Sequence, residues 1–435
     1  MACDCNQAPL RCLLPAAGVF LRRTITSAMR RNQKVDIMRD INSQTFQVPQ
    51  MADVVEVNDL AELEQYRLVW DMLFPQTPRA SFFHTFQWFQ TYWKHFGDDK
   101  RMRVLIVRSE GTPIGIVPLC VLSEKHHAGN LRVLTYPLSD WGMWYGPIGP
   151  NPSASMFMAM QHLHDTRRDW DLLELRWTDA QPGGDCATGR AMQAVGWAPQ
   201  KSAYQEMSVI RLAGLDWESY LASRSKKWRH EIRRQTRVLE QSAELTYHRH
   251  RPASAAEGDG DPCWEMYKDC LYVSEQSWQS ESTTGNTICH EQVRDFLIDV
   301  HREAARLGML DMAVLKLGGK PVAFQYNYHF DRNVVGLRMG FDRSFSKQGV
   351  GKVLMSRSIE DSLRRGDQTY DMGPGSYDFK RRFRTDVETS YCFSHVPWLA
   401  WRSQGVRLSR WLKRHVLSAR AAGKETSPQP STELV

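Results

Sequence analysis

FDRSFSKQGVGKVLMSRSIEDSLRRG, residues 341–366, decides how the rest of the chain is read. Gly349 and Gly351 stand where a strand gives way to a helix. Val353, Leu354, Ile359 and Leu363 recur at helical spacing, and Gly366 supplies the stop. A loop of this kind gathers unpaired backbone N–H groups at a helix N-terminus, and such a point binds phosphate. Two familiar phosphate loops are excluded by spacing. The stretch carries neither G-x-G-x-x-G with a later acidic residue nor G-x-x-x-x-G-K-[ST].

Upstream, Met312–Leu317 is a short apolar run, and Gly318-Gly319 marks a tight turn. Val322–Phe330 is a second strand, Asp331-Arg332-Asn333 a second turn, and Val334–Phe341 a third strand. Downstream, Thr369–Met372 reads as another short strand. Three strands in an antiparallel meander, then a glycine loop, a helix and a strand, do not make a βαβ dinucleotide unit.

This order of elements, with Gly349-Val350-Gly351-Lys352-Val353-Leu354-Met355 at its centre, resembles the acyl-CoA-binding core of GNAT acyltransferases. Their loop pattern is [QR]-x-x-G-x-[GA]. Gly349 and Gly351 match it, and Ser346 departs from it at the first position. The wider chain, from Asp53 to Val396, resembles the CelD-like and FemAB-like branch. FFHTFQWFQTYWKHF (Phe82–Phe96), SRSKKWRHEIRRQTRVLE (Ser223–Glu240) and YDMGPGSYDFKRRF (Tyr370–Phe383) carry that resemblance. It implies an α/β (α+β) fold of tandem GNAT-like modules, with mixed, largely antiparallel sheets flanked by helices. The expected modules are 53–213 and 214–396. The first half repeats a weaker version of the second, a hairpin, helix, strand and helix, but Gly146-Pro147-Ile148-Gly149-Pro150 is too proline-rich to open a helix. One acyl-CoA site is therefore expected, in the second module.

Acyl transfer from a thioester needs the pyrophosphate held, the carbonyl polarised and the nucleophile deprotonated. The backbone of Gln348, Gly349, Val350, Gly351 and Lys352 is expected to hold the pyrophosphate, with charge from Lys347 and Lys352. By resemblance, the acyl chain lies where the strand ending at Arg338–Asp342 splays from Tyr370–Gly373. Asp371 is the first candidate base, with Asp342 a second. Tyr377 would protonate the leaving thiolate, and Lys380 would orient an anionic substrate. Two of them have an alternative: a capping carboxylate for Asp371, a packed aromatic for Tyr377. In the basic helix Ser223–Glu240, Leu221, Trp228, Ile232 and Leu239 share one face. Lys227 and Arg233 on the remainder either line an acceptor groove or are solvated. Trp278, in the polar loop 275–286, either covers the acceptor or is part of an ordinary connection.

The whole chain agrees with an enzyme of this kind. At 435 residues, 42% hydrophobic and 24% charged, it can bury a large core. No apolar run reaches the ~20 residues of a membrane span. Nine scattered cysteines without a C-x-x-C pair suit a reducing cytoplasm, and no metal is expected. The net charge of +7 fits an anionic co-substrate without choosing among anions. Residues 1–52 read as a basic disordered extension or a mis-assigned start, a signal or organelle presequence being the alternatives. Residues 397–420 read as a basic amphipathic helix that packs on the domain or touches a membrane peripherally. Residues 421–435 read as a disordered tail.

The resemblance thus implies an acetyltransferase. It would use acetyl-CoA as co-substrate and modify an amine or hydroxyl of a sugar, exopolysaccharide or cell-envelope precursor, with no nucleic acid partner. Two alternatives stay open: an aminoacyl-tRNA-dependent transferase of peptidoglycan precursors, and a non-catalytic membrane-associated scaffold.

Overall fold

The computed structural model describes residues 52–408, apart from 127–128, 179–185, 283–285, 376–377 and 399. Tyr377, the N-terminal extension, most of the expected C-terminal helix and the tail lie outside the described residues. No described helix is long and apolar enough to cross a membrane.

Twelve strands form one mixed sheet flanked by helices. In chain order they are β1 (Ala52–Val57), β2 (Arg101–Ser109), β3 (Thr112–His126), β4 (Gly129–Thr135), β5 (Leu172–Thr178), β6 (Gln200–Arg211), β7 (Leu245–His250), β8 (Leu310–Leu317), β9 (Lys320–Phe330), β10 (Asn333–Phe341), β11 (Thr369–Pro374) and β12 (Asp386–His395). Their spatial order is β1-β2-β3-β4-β5-β12-β6-β11-β10-β9-β8-β7. Only β4–β5 and β10–β11 pair in parallel. Met102–Val107 and Leu310–Leu315 are buried without interruption, as strands covered on both faces should be.

Eleven α-helices are described. They are α1 (Leu60–Glu64), α2 (Arg67–Leu73), α3 (Phe86–Phe96), α4 (Pro152–Asp165), α5 (Ala187–Ala194), α6 (Trp217–Ala222), α7 (Lys226–Ser242), α8 (Trp264–Glu275), α9 (Arg294–Arg306), α10 (Val350–Arg364) and α11 (Asp378–Phe383). The sequence predicts one long helix over 216–240. The structure breaks it at Ser223–Ser225, where the Ser225 hydroxyl accepts from the Trp228 amide at 3.2 Å and starts a new helix. The single helix expected over 59–74 likewise divides into α1 and α2 around Gln65 and Tyr66.

The two halves run in parallel. β2-β3-β4-α4-β5 and β8-β9-β10-α10-β11 are each a meander, a helix and a strand parallel to the last one. They then exchange their closing strands. β6, which follows β5 in the chain, pairs with β11, and β12, which follows β11, pairs with β5 as well as β6. The halves therefore share one continuous sheet. They also share an aromatic core. Thr85 caps α3 by accepting from the Trp88 amide, and the motif 82–96 meets the second half through Phe82 on Tyr328 (4.5 Å between ring centres) and Phe96 on Phe296 (4.8 Å). A fully buried ring such as Phe82 contributes about 1.5–3 kcal/mol of transfer free energy, and the half-buried Phe96 less.

Candidate active site

The loop after β10 closes into a 3₁₀ turn, Arg343–Gln348, before α10 begins. Asp342 caps that turn. Its Oδ1 accepts from the Ser344 amide (2.9 Å) and hydroxyl (2.6 Å), and its Oδ2 from Lys320 Nζ (2.9 Å). Burial works to raise this carboxyl, but the Ser344 and Lys320 bonds outweigh it and hold the group below the usual range. Asp342 is thus a cap and an ion-pair partner, and it makes a poor base.

Gly349 is both the end of that turn and the start of α10, at φ +73. Left-handed backbone suits glycine, and a second reason excludes a side chain here. The Gln235 side chain of α7 lies 2.4 Å from where a Cβ would stand. The first intrahelical bonds run from the Lys352 and Val353 amides to the Gly349 carbonyl, at 2.9 and 3.1 Å. The amides of Gly349, Val350 and Gly351 come before them and have no acceptor inside the helix. Beside them the buried Gln235 Oε1 has no partner. The three amides fit a phosphate, whereas the Gln235 oxygen is an acceptor and calls for a donor on the ligand.

The expected side-chain charges are placed differently. Lys352 Nζ is 2.5 Å from Glu231 Oε1 on α7, and Arg382 holds the other carboxylate oxygen at 3.0 Å. Lys347 and Gln348 are exposed beside the loop. On α7 the faces covered by protein are those of Trp228, Ile232, Gln235 and Leu239, so Lys227 and Arg233 are exposed, and Arg233 is turned away from the glycine loop. Trp278 is exposed too, in a turn tied to β10 by Gln279 Nε2, which donates to the Met339 carbonyl at 3.0 Å.

β10 and β11 are bonded over only three pairs, Asn333–Thr369, Val334–Tyr370 and Val335–Asp371. Beyond them β10 bulges between Gly336 and Arg338. A bulge bends its strand and frees an extra residue from the ladder. Gly336 and Gly373 (φ +79) let the backbones come close at that point, since a Cβ on Gly373 would stand 2.9 Å from the Gly336 carbonyl. Both lips of the opening are gripped by one loop of the first half, residues 139–149. Trp141 lies under the Arg338 guanidinium at 4.4 Å, and Arg338 Nη2 donates to the Asp140 carbonyl at 3.1 Å. On the other lip Trp144 Nε1 donates to Asp371 Oδ2 at 2.8 Å, and the Gly373 amide donates to Oδ1 at 2.8 Å.

Burial raises the Asp371 carboxyl above its usual range, and the two donated bonds only partly offset this. Lys380 is buried alongside. Its ammonium donates to the Pro374 carbonyl at 2.8 Å, and burial lowers it to about 8 against the opposing pull of Asp371. Lys380 therefore steadies the turn after β11. The role expected of it, orienting an anionic substrate, does not fit this burial.

Asp371 lines a cavity of about 250 Å³, which shares Arg79, Trp144, Arg211 and Glu388 with a larger one of about 770 Å³ between the first half and β12. Arg79 lies over the Trp144 ring at 4.3 Å and bonds Glu388 at 2.5 Å, and Arg211 bonds Glu388 from the other side. Tyr136 and Tyr145 line the large cavity, and both hydroxyls are buried without a partner. His84 stacks on Tyr145 at 5.1 Å, accepts from the Ser81 amide through Nδ1, and is held down to about 4 by burial, so it is neutral at pH 7. Arg79 (φ 57), Trp144 (φ 51) and Trp177 (φ 62) are non-glycine residues in the left-handed region. Backbone strain of this kind gathers at functional sites.

The structure brings Asp371 together with Lys380 and the β10–β11 opening, and places the glycine loop at the start of the helix joining those strands. It commits Asp342 and Lys352 to ion pairs. Trp144, Arg79, Arg211, Glu388 and Gln235 were not foreseen. The density of Trp and Tyr in PLSDWGMWYGPIGP, residues 137–150, is the signal in the sequence that could have marked Trp144.

With this geometry in hand, comparison with known proteins is informative. Residues 226–381 match the acetyltransferase (GNAT) domain model. Among solved structures the chain is similar to FemX, with a TM-score of 0.50 at 9% identity over 79% of this chain and 97% of that one. It is also similar to a tandem GNAT protein from the clavulanic acid biosynthesis pathway (TM-score 0.43, 10% identity, 79% and 98% covered). A GCN5-related N-acetyltransferase from Kribbella flavida aligns at TM-score 0.32 and 9% identity, covering 80% and 72%. No curated protein sequence matches. The likeness to FemX shows a shared fold. The matched segment runs from the start of α7 through α10 and β11 into α11, and so contains the glycine loop and Asp371. That segment is similar to the acetyltransferase (GNAT) domain.

Proposed function

We propose that the chain transfers an acyl group, acetyl in the simplest case, from acyl-CoA to an amine or hydroxyl of a saccharide acceptor. The observation that carries this reading is the parting of β10 from β11 next to a helix that opens on Gly349, with the buried Asp371 carboxylate held in place at the gap. In this reading the amides of Gly349, Val350 and Gly351 hold the pyrophosphate, where the helix dipole favours negative charge. The acyl chain enters between the strands, and an amide freed by the bulge in β10 polarises the carbonyl.

The acceptor lies in the joined cavities of about 770 and 250 Å³. Tyr136, Tyr145, Tyr391 and Trp144 offer aromatic faces and hydroxyls there, and Glu388 together with Asp386 offsets the two arginines. A neutral polyhydroxy compound fits such a lining. Asp371 removes the proton from the attacking nitrogen or oxygen as it bonds to the thioester carbon, and the raised pKa of a buried carboxyl suits a base near neutral pH. The departing thiolate takes a proton, for which Tyr377 is the candidate. Use of acetyl-CoA, placement in the cytoplasm, and a link to exopolysaccharide or envelope precursors in the CelD-like manner belong to the same proposal, as does peripheral membrane contact through residues 397–420.

Calorimetry with acetyl-CoA tests it. The expected result is micromolar binding, about −8 kcal/mol, at one molecule per chain. Gly349→Ala should weaken it at least tenfold, because alanine is strained at this φ and displaces Gln235. An unchanged melting temperature would show that the variant still folds. Absence of binding by the folded wild-type chain would overturn the acyl-CoA reading and bring aminoacyl-tRNA forward as donor.

A further inference from the structure

Away from the acyl site, three side chains of different donor chemistry converge where β7 ends. His250 is the last residue of β7, and Asp261 and Cys263 stand at the far end of the loop that leads into α8. A ring nitrogen, a carboxylate oxygen and the Cys263 Sγ all lie within 4.8 Å of one another. Ligands around a tetrahedral zinc ion, with bonds of roughly 2.0–2.3 Å, stand closer than that limit. Asp261 is exposed and the other two are half-buried, so side-chain rotation can close the gap.

The surroundings already orient the donors. His250 Nε2 donates to the Asp261 carbonyl at 2.8 Å, which leaves Nδ1 as the nitrogen with a lone pair. A metal-ligating imidazole ordinarily gives its other N–H to a carbonyl or carboxylate in this way. The Cys263 amide donates to Asp261 Oδ1 at 2.8 Å and leaves Oδ2 available. Behind them the buried His301 donates to the Pro262 carbonyl at 2.7 Å and fixes the loop between the two ligands it carries.

We propose that His250, Asp261 and Cys263 bind a divalent transition metal of the zinc type, with water in the fourth position. One nitrogen, one thiolate and one carboxylate suit a borderline ion, whereas calcium and magnesium take oxygen donors. On binding, the Cys263 thiol releases its proton to solvent as the metal–sulfur bond forms. The metal closes the loop 251–262 against the end of β7. β7 is the outer strand of the sheet, four strands from β11 and roughly 19 Å from Asp371 at ~4.8 Å per strand. The site is a structural clamp independent of acyl transfer.

The full-length chain, stripped with EDTA and kept reduced, is titrated with Co²⁺. The expected result is a near-ultraviolet thiolate-to-cobalt band with visible tetrahedral bands, saturating at one ion per chain and displaced by Zn²⁺. Cys263→Ser and His250→Gln should each weaken binding at least tenfold, which also separates this site from the other eight cysteines. As a check that needs no variant, Zn²⁺ should slow alkylation of Cys263 by iodoacetamide, read on its peptide by mass spectrometry. Three results would each overturn the proposal: no thiolate band in the folded chain, the same band in Cys263→Ser, or equal alkylation with and without Zn²⁺.

Discussion

The two halves start from the same plan and diverge at one turn. After β10, the chain makes a short 3₁₀ turn and enters α10 through Gly349, offering successive free amides. After β4, it runs through the aromatic loop 136–151 and enters α4 at Pro152. Proline at the first helical position has no N–H to give a phosphate. The first half has thus lost the anion-binding helix start, and its loop instead reaches across to the lips of the other half's opening. Trp141 holds the β10 lip and Trp144 the β11 lip. On the proposed function, one half would present the donor site, and the other would help to line the acceptor cavity and grip the base. The exchanged closing strands β6 and β12 hold the two halves in fixed register.

The largest expected effect tests the base itself. Asp371→Asn keeps the shape and can retain one of the two donated bonds, since its NH₂ cannot accept the other, and it removes the proton acceptor. Turnover should fall by roughly 10²–10⁴, while acetyl-CoA affinity measured by calorimetry stays within a factor of about three. A loss below tenfold would take Asp371 out of the chemistry and leave water or another group as base.

A smaller effect tests the grip across the halves. The Trp144 bond favours the ionised form of Asp371, against the burial that raises its pKa. Trp144→Phe removes that bond, so the pKa should rise further. A base works when deprotonated, so the acidic limb of the turnover profile should move to higher pH, with turnover at neutral pH down by about tenfold, the loss of one charge-assisted hydrogen bond of ~1.5 kcal/mol. A structural defect alone would lower turnover at every pH without moving the limb. An unmoved limb would mean that the first half merely packs against the site.

The elements around Gly349 were legible because their signals are local. The meander, the paired glycines of the 318–319 turn and the Gly349 helix start are each written in a few adjacent residues. Asp342, expected as a second candidate base, instead caps the turn before α10 through the Ser344 amide. The failures involve long-range placement. β6 (QKSAYQEMSVIR) and β12 (DVETSYCFSH) are too polar to read as central strands, but each borders the polar cavities and needs only part of its length buried. Lys380 looks like a surface lysine in KRR, and only the fold shows that β11 and α11 close over it. The bond from Trp144 to Asp371 joins residues 227 apart in sequence, beyond any periodicity or motif.

The smallest expected effect bears on what holds the phosphate. Lys352 sits in the first turn of α10, where a lysine looks made for a pyrophosphate, yet its ammonium is paired with Glu231. Both side chains are partly exposed, so the pair contributes ~0.2–1 kcal/mol, and Lys352→Ala should weaken acetyl-CoA binding by no more than about threefold. Glu231→Gln should act in the opposite sense, freeing Lys352 and Arg382 and tightening binding by up to about fivefold at low salt, less as salt rises. Arg233→Ala, on the outward side of α7, should change nothing measurable. If Lys352→Ala instead cost more than tenfold, side-chain charge and not backbone amides would be holding the phosphate. Pro152 would then no longer explain why the first half lacks a donor site, since a lysine can be placed beside a proline-started helix as easily as beside one opened by glycine.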